Sequence, residues 1–309
     1  MIHKSVKMLL DGANVKGEMS QVQRSQSQHT AFMNCRGKPL TFGGRTLIMG
    51  ILNVTPDSFS DGGHYFEVDK AIARAKQMVE EGADIIDIGG ESTRPGALSI
   101  SAEDELARVL PVIEGLGDET TALISIDTSK AAVAYEALQA GAHIVNDITA
   151  LKGDRNMAGV VAEMKAGVVL MHIQGTPRTM QHSPVYHVLI PELLSYLQQR
   201  IDEAEAAGIQ PEQMMIDPGI GFGKTLEHNL EILRRLDEFR RLKKPILIGT
   251  SRKSFIGKIL NLPADDRVEG TAATVAWAIA HGADVIRVHD VKAMRRVAQM
   301  TDAIYRHTD

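Results

Sequence analysis

Two carboxylates and an amide, Asp127, Asn146 and Asp217, each end a short apolar run and stand just ahead of a helical stretch. A carboxylate can take two parallel N–H bonds, so this acid–amide–acid set suits a flat ligand edge rich in N–H donors. The 2-amino-4-oxo edge of a pterin or guanine is such an edge. A Mg²⁺ cage is the competing use of the two acids. Arg252, Lys253, Arg287 and His289 end later runs and add cationic donors, which suit an anionic leaving group. Asn53, Thr93 and His172 occupy equivalent places. Each alone reads more readily as a satisfied polar group or a helix cap, and Asp127 and Asp147, just before helices, as caps. Eight polar ends in register ask for one mouth that collects them.

The elements that would position them alternate strictly. The organising run is Leu47 to Leu52, apolar without alternation, as in a strand buried on both faces. It ends at Asn53 and passes into a loop rich in Pro, Asp and Gly that closes with Asp61-Gly62-Gly63. Strands follow at 83–88, 122–126, 143–145, 168–171, 214–216, 245–248 and 285–288. Helical spacing lies between them, including 68–81, 102–114, 131–140, 191–207 and 226–241. Gly-Ala-Asp or Gly-Ala-His recurs at 82–84, 141–143 and 282–284, each time joining helix to strand. Alternation gives a parallel sheet with right-handed crossovers, and eight such units close most economically into a (β/α)8 TIM barrel of the α/β class. A doubly wound open sheet is the rival, but its dinucleotide fingerprint is absent after the first strand.

Composition sets the bounds. The chain has 309 residues, 44% hydrophobic and 24% charged, with a net charge of −5. No basic block points to nucleic acid, and no run reaches the roughly 18 apolar residues of a membrane span. The single cysteine, Cys35, excludes an intrachain disulfide framework or a thiolate cluster. The chain reads as cytoplasmic. Residues 1–38 show no clear period and are expected to be a poorly ordered, dispensable extension. Residues 39–309 are read as a single domain, opened by a hairpin turn at Phe42-Gly43-Gly44-Arg45. Pro218 to Thr225 nearly matches a phosphate-cradling loop, but proline stands where the first glycine belongs, with a fixed φ and no N–H. Its glycines more readily let backbone pass close to a flat ligand, with Phe222 as a stacking face or as core filler.

Taken together, these stretches resemble dihydropteroate synthase. They are Met49 to Gly63, Glu91-Ser-Thr-Arg-Pro-Gly96, Ser125-Ile-Asp-Thr-Ser129, Asn146-Asp147, Met171-His172, Asp217 to Lys224, Ser251-Arg-Lys-Ser254 and Arg287-Val-His-Asp290. The likeness runs over roughly residues 40–305. It implies a folate-pathway transferase that joins 6-hydroxymethyl-7,8-dihydropterin diphosphate to 4-aminobenzoate and releases diphosphate, most simply as a homodimer. Carried over by motif, Asp127, Asn146, Asp217 and Lys253 would hold the pterin, walled by Phe222 and Met171. Arg287, Val288, His289 and Thr93 would grip the diphosphate. Asn53 would ligate its Mg²⁺, helped by Asp61, and Lys253, Arg287 and Asp61 would be the catalytic set. Thr93, Arg94, Pro95 and Ser254 would frame the aminobenzoate. A corrinoid-linked methyltransferase barrel, the related alternative, should lack the Thr93-Arg94-Pro95 and Ser251 to Ser254 motifs. A non-catalytic pterin-binding paralogue is the other alternative, although no motif is broken.

Overall fold

The structure, a computed structural model, describes residues 32–55, 64–94, 96–117 and 120–306, with backbone alone at 64–67. Eight parallel strands form the sheet: β3 (Leu47–Asn53), β4 (Ile85–Gly89), β5 (Leu123–Asp127), β6 (Ile144–Asp147), β7 (Gly167–Met171), β8 (Met214–Asp217), β9 (Leu247–Ile248) and β10 (Val285–Val288). Their order is β8-β7-β6-β5-β4-β3-β10-β9. A parallel bridge between Ile216 and Ile246 joins the two ends, so the sheet closes into the expected barrel. Helices alternate with the strands: α1 (His64–Glu80), α2 (Ala102–Leu116), α3 (Ala131–Gln139), α4 (Met157–Glu163), α5 (Leu189–Ala206), α6 (Leu226–Arg234), α7 (Ser254–Leu260), α8 (Val268–Ala280) and α9 (Val291–Tyr305).

The repeated Gly-Ala-Asp/His fragment has a structural explanation. Its glycines, Gly82, Gly141 and Gly282, take φ between 102° and 119°, which ends the helix before each strand. The third residue then pairs reciprocally with the neighbouring strand. Asp84 N–H donates to Ile48 O at 2.8 Å while Ile48 N–H donates back to the Asp84 carboxylate at 2.8 Å. His143 and Ile124 repeat the exchange through His143 Nδ1, and Asp284 and Ile246 through the Asp284 carboxylate. Each fragment thus sets the register of a strand start.

Strand parity sorts the interior. Ile48, Ile86, Ile124, Val145, Val168, Ile216, Ile248 and Ile286 face the helices in one large core. Their neighbours Met49, Ile85, Leu123, Ile144, Val169, Met215, Leu247 and Val285 face inward and form an apolar floor. The floor is capped from below by a hairpin, β1 (Phe32–Cys35) and β2 (Lys38–Thr41), whose Met33 and Cys35 are fully buried. Gly167 makes room for the hairpin, because a Cβ there would stand 2.6 Å from Met33 Cε and 2.9 Å from Cys35 Sγ.

Two expectations need correcting. The hairpin turns at Arg36 and Gly37, not at 42–45, and it starts at Phe32, upstream of the domain boundary drawn at 38. Phe42 instead packs in the barrel floor. The helix expected at 226–241 stops at Arg234, and a 3₁₀ segment, Leu236–Leu242, continues it. Leu236, Phe239 and Leu242 recur every third residue and all are buried, which suits three residues per turn rather than 3.6. Residues 1–31, including most of the expected extension, lie outside the described residues.

Candidate active site

Above the apolar floor the inward positions become polar. Asp87, Ser125, Asn146 and Arg287 continue the inward parity of β4, β5, β6 and β10, and Asp127 and Asp217 end β5 and β8 at the same rim. The change of chemistry over the last three residues of each strand turns a barrel interior into a pocket floor at the C-terminal face.

The floor is held by charge-assisted bonds. Arg287 Nε donates to Asp87 Oδ2 at 2.6 Å, and its Nη2 donates to Asp127 Oδ2 at 2.6 Å. Asn146 Nδ2 donates to the same Asp87 oxygen at 3.0 Å. Burial works against the Arg287 charge, yet the Asp87 and Asp127 carboxylates outweigh it and hold the guanidinium pKa above its ordinary value. Burial pushes the Asp127 carboxyl up, partly offset by Arg287. Asp217 is also raised by burial, against the Gly219 N–H that its Oδ1 accepts at 2.7 Å.

The loop after β8 builds one wall. Gly219, Gly221 and Gly223 all take positive φ, and a Cβ at Gly219 would lie 1.9 Å from the His172 carbonyl. Only glycine lets the loop lie so close. Phe222 is buried with Met171, Met180 and Ile148 in a cluster separate from the main core. Lys253 Nζ sits 4.0 Å from the Phe222 ring centroid. Burial, then Arg287, lowers the Lys253 pKa to about 8. Across the mouth, His289 Nδ1 and Ser251 Oγ lie 3.0 Å apart, and the His289 N–H donates to the same hydroxyl. Burial, then Arg287, lowers the His289 pKa to about 3, so its imidazole is neutral.

Thr93 is half-buried and Arg94 exposed on the loop after β4. That loop is anchored by Lys130, which pairs with Glu91 and Glu105, and by Arg108, which donates to the Gly90 carbonyl at 2.8 Å. Ser254 opens α7 and is exposed. Asn53 ends β3 at an inward position, half-buried. Pro95 and Asp61 lie outside the described residues.

Several expected residues do other work. Val288 faces the helices and is fully buried in the main core, so its side chain does not join the pocket. His172 is buried, packs edge-on against Tyr196 and sits 3.1 Å from Lys224 Nζ. Its pKa falls to about 2 through burial and then Lys224. Lys224 itself bonds the Phe222 carbonyl, and burial lowers its pKa to about 7. This lysine braces the glycine loop from inside, which disposes of the phosphate-loop reading. Asp147 accepts from Thr149 and Leu151 N–H groups and so closes the turn after β6 rather than capping a helix, since α4 starts only at Met157. Arg252 is held by Asp290 in a bidentate pair. Asp87 was missed, because a lone acid inside Ile-Ile-Asp-Ile reads as strand; its signal was inward parity. Ser251, the partner of His289, was legible only as part of a motif.

Against known proteins, the family described as pterin binding enzyme matches residues 49–289. Dihydropteroate synthase of Synechocystis is 52% identical over 266 residues, 86% of this chain and 92% of that protein. The chain belongs to the dihydropteroate synthases of the pterin-binding enzyme family. Two solved structures of this family superpose closely. The Clostridium difficile enzyme, crystallised in the presence of pteroic acid, has a TM-score of 0.82 at 49% identity, covering 86% of this chain and 99% of that one. The Xanthomonas albilineans enzyme with 4-aminobenzoic acid has a TM-score of 0.84 at 41% identity, covering 90% and 100%. The matched residues contain every strand and strand end of the pocket from Met49 onward.

Proposed function

We propose that the acid–amide–acid floor of this dihydropteroate synthase holds the pterin and that the cationic rim holds its diphosphate. The chain is a transferase that condenses 6-hydroxymethyl-7,8-dihydropterin diphosphate with 4-aminobenzoate. The observation that carries the residue assignment is the convergence of Asp127, Asn146 and Asp217, all buried, beneath Lys253 and Phe222. Carboxylate and amide oxygens there face a ligand edge of N–H donors, and Met171 and Phe222 wall the ring. Ser254, Thr93, Arg94 and Pro95 frame the aminobenzoate. The bound 4-aminobenzoic acid and 7,8-dihydropteroate named for the Xanthomonas structures support this.

In the reaction, the arylamine nitrogen attacks the pterin methylene carbon. The C–N bond forms, the C–O bond to diphosphate breaks, and the amine proton leaves to solvent. The reduced pterin stabilises positive charge at that carbon, so the protein's work is to orient both partners and hold charge. The arylamine is already a free nucleophile at neutral pH, which fits a site without a Ser/His/Asp set. Arg287 and neutral His289 receive the departing diphosphate, with Lys253 fixing the ring.

Mg²⁺ fits at Asn53. A hard amide oxygen at an inward strand end is a Mg²⁺ ligand, and the described residues hold no cluster of three or more His, Cys, Asp or Glu side chains. Such a site suits an ion that takes most of its oxygens from phosphate and water, with Asp61 as a second protein ligand. When bound, the ion neutralises diphosphate charge. The same reading carries a cytoplasmic location and a homodimer. No helix among the described residues is long and apolar enough to cross a membrane. Exposed Ile259, Leu260 and Trp277 on α7 and α8 offer apolar surface to a second copy. Sedimentation checks the dimer, and a monomer at micromolar concentration excludes it.

The reaction is tested by measuring diphosphate release with and without 4-aminobenzoate. Release that depends on the arylamine and yields 7,8-dihydropteroate is expected. Pterin binding without release would make the chain a non-catalytic paralogue.

A further inference from the structure

Asp87 stands one layer below the residues that meet ligand, and it is fully buried on β4. A single oxygen, Oδ2, accepts both Arg287 Nε at 2.6 Å and Asn146 Nδ2 at 3.0 Å. A carboxylate oxygen that already accepts a guanidinium N–H presents a lone pair, not a proton, to its next partner. Asn146 therefore has no choice of amide orientation: its NH2 must turn to Asp87. Its carbonyl Oδ1 is then left for the pocket, and no donor among the described residues takes it. Arg287, fixed at Nε, can extend only one way, and its Nη2 meets Asp127. The floor atom that Asp87 leaves to the ligand, Asn146 Oδ1, is an acceptor.

We propose that Asp87 is a positioning residue that sets the hydrogen-bond polarity of the pterin floor by turning the Asn146 carbonyl toward the ligand and tethering Arg287 to Asp127. The specificity that follows is for a ring carrying an amine at the 2-position over one carrying an oxo group there. The amine donates to the Asn146 carbonyl, whereas an oxo group meets it acceptor to acceptor. This rests on the pterin reading of the floor given above.

Among the described residues the other Asp87 oxygen, Oδ1, has no partner, and neither does Ser125 Oγ on the adjacent strand at the paired position. That asymmetry makes the proposal sharp. Asp87→Asn can keep its carbonyl where Oδ2 lies, serving both Arg287 and Asn146, and put its amine where Oδ1 has no partner. Asp87→Ala cannot supply an acceptor at all, and Asn146 becomes free to flip.

The test is calorimetric binding of bare 6-hydroxymethylpterin and of 6-hydroxymethyllumazine, its 2-oxo counterpart, to the full chain and its variants. The readout is the ratio of the two affinities, which cancels any loss of folded fraction. Asp87→Ala is expected to cut the preference for the 2-amino ring by about tenfold or more, as expected when one buried bond is mismatched. Asp87→Asn is expected to keep it within about threefold. In an Asn146→Ala background, Asp87→Ala should change the ratio by less than it does in the wild type, since the amide carries one of the two effects and the Arg287 tether the other. If Asp87→Ala weakens both ligands equally, Asp87 is only structural and the proposal falls. If Asp87→Asn loses the preference as fully as Asp87→Ala, charge rather than acceptor geometry is responsible, and the proposal again falls. A wild-type chain that binds neither ring overturns the pterin reading itself, a different failure. Should Asp87→Ala not fold, the scalar coupling across the hydrogen bond from Asn146 Nδ2 to the Asp87 carboxylate carbon decides the matter by NMR on the wild-type protein. Its presence with and without pterin supports the proposal, and its absence overturns it.

Discussion

Asp217→Asn changes one atom, and the surroundings dictate which. Asp217 Oδ1 accepts the Gly219 N–H at 2.7 Å, from a loop that lies so near the His172 carbonyl that a Cβ at Gly219 would stand 1.9 Å from it. The asparagine carbonyl must therefore stay on the Gly219 side, and the new NH2 takes the place of Oδ2. In the pterin reading that oxygen meets ring N–H donors, so the variant sets donor against donor and removes a charge. A charge-assisted bond contributes about 1.5–3 kcal/mol, and an unsatisfied buried group costs about 1–3 kcal/mol. Together they give on the order of 3–5 kcal/mol, a loss of affinity of roughly two to four powers of ten. Stability should move the other way. Burial raises the Asp217 pKa, so the ionised carboxylate is worse off in the fold than in the unfolded chain. Replacing it with a neutral isostere is expected to leave the thermal midpoint unchanged or slightly higher at neutral pH. Calorimetry with a pterin lacking diphosphate, beside a melting curve, reads both. Unchanged pterin affinity would remove Asp217 from the pocket, and a large fall in midpoint would show that affinity was lost by unfolding.

Three further outcomes are expected. Lys253, with its pKa lowered to about 8, is an ammonium donor below that pH and a neutral amine above it. Affinity for a bare dihydropterin should therefore fall as pH rises through about 8, and titrations of Lys253→Met should lack that limb; an identical limb in the variant assigns it to the ligand. Asn53→Ala should raise the Mg²⁺ concentration for half-maximal turnover while leaving bare pterin binding nearly unchanged, and the reverse pattern would refute the metal role. A chain beginning at Gly37 removes Met33 and Cys35 from the barrel floor, both fully buried. Losing two such side chains costs on the order of 4 kcal/mol. For a domain of this size that is a fall in midpoint of about 8–16 °C. An unchanged melt would return the whole first segment to the dispensable extension.

The barrel was legible because its signal is repeated. Apolar runs, polar ends and the Gly-Ala-Asp/His joint each recur, and one fold collects them. Asp127, Asn146 and Asp217 were legible for the same reason: they stand at strand ends, where an acid or amide is unexpected unless the site needs it. What escaped was whatever lacked a local signal. β1 has only four residues, too few to show alternation, and its role as a plug depends on Gly167, far away in sequence. Asp87 is hidden inside an apolar strand, and its importance lies in partners on β6 and β10. Val288 shows the opposite error. It sits between Arg287 and His289 in the motif, but strand parity sends its side chain outward to the helices. His172 and Lys224 carry chemistry-bearing side chains at promising places, yet each satisfies the other below the loop. Sequence spacing predicts which residues reach the rim; only packing shows which are already occupied.

A crystal structure of this chain with 7,8-dihydropteroate bound tests the central claim most directly. The account predicts the 2-amino edge of the pterin within hydrogen-bond distance of Asp217 and Asn146, and the ring against the wall that Met171 and Phe222 form, beside Lys253. The aminobenzoate end should lie toward Thr93 and Ser254. A pterin seated elsewhere, or turned so that its amine faces solvent, would contradict it.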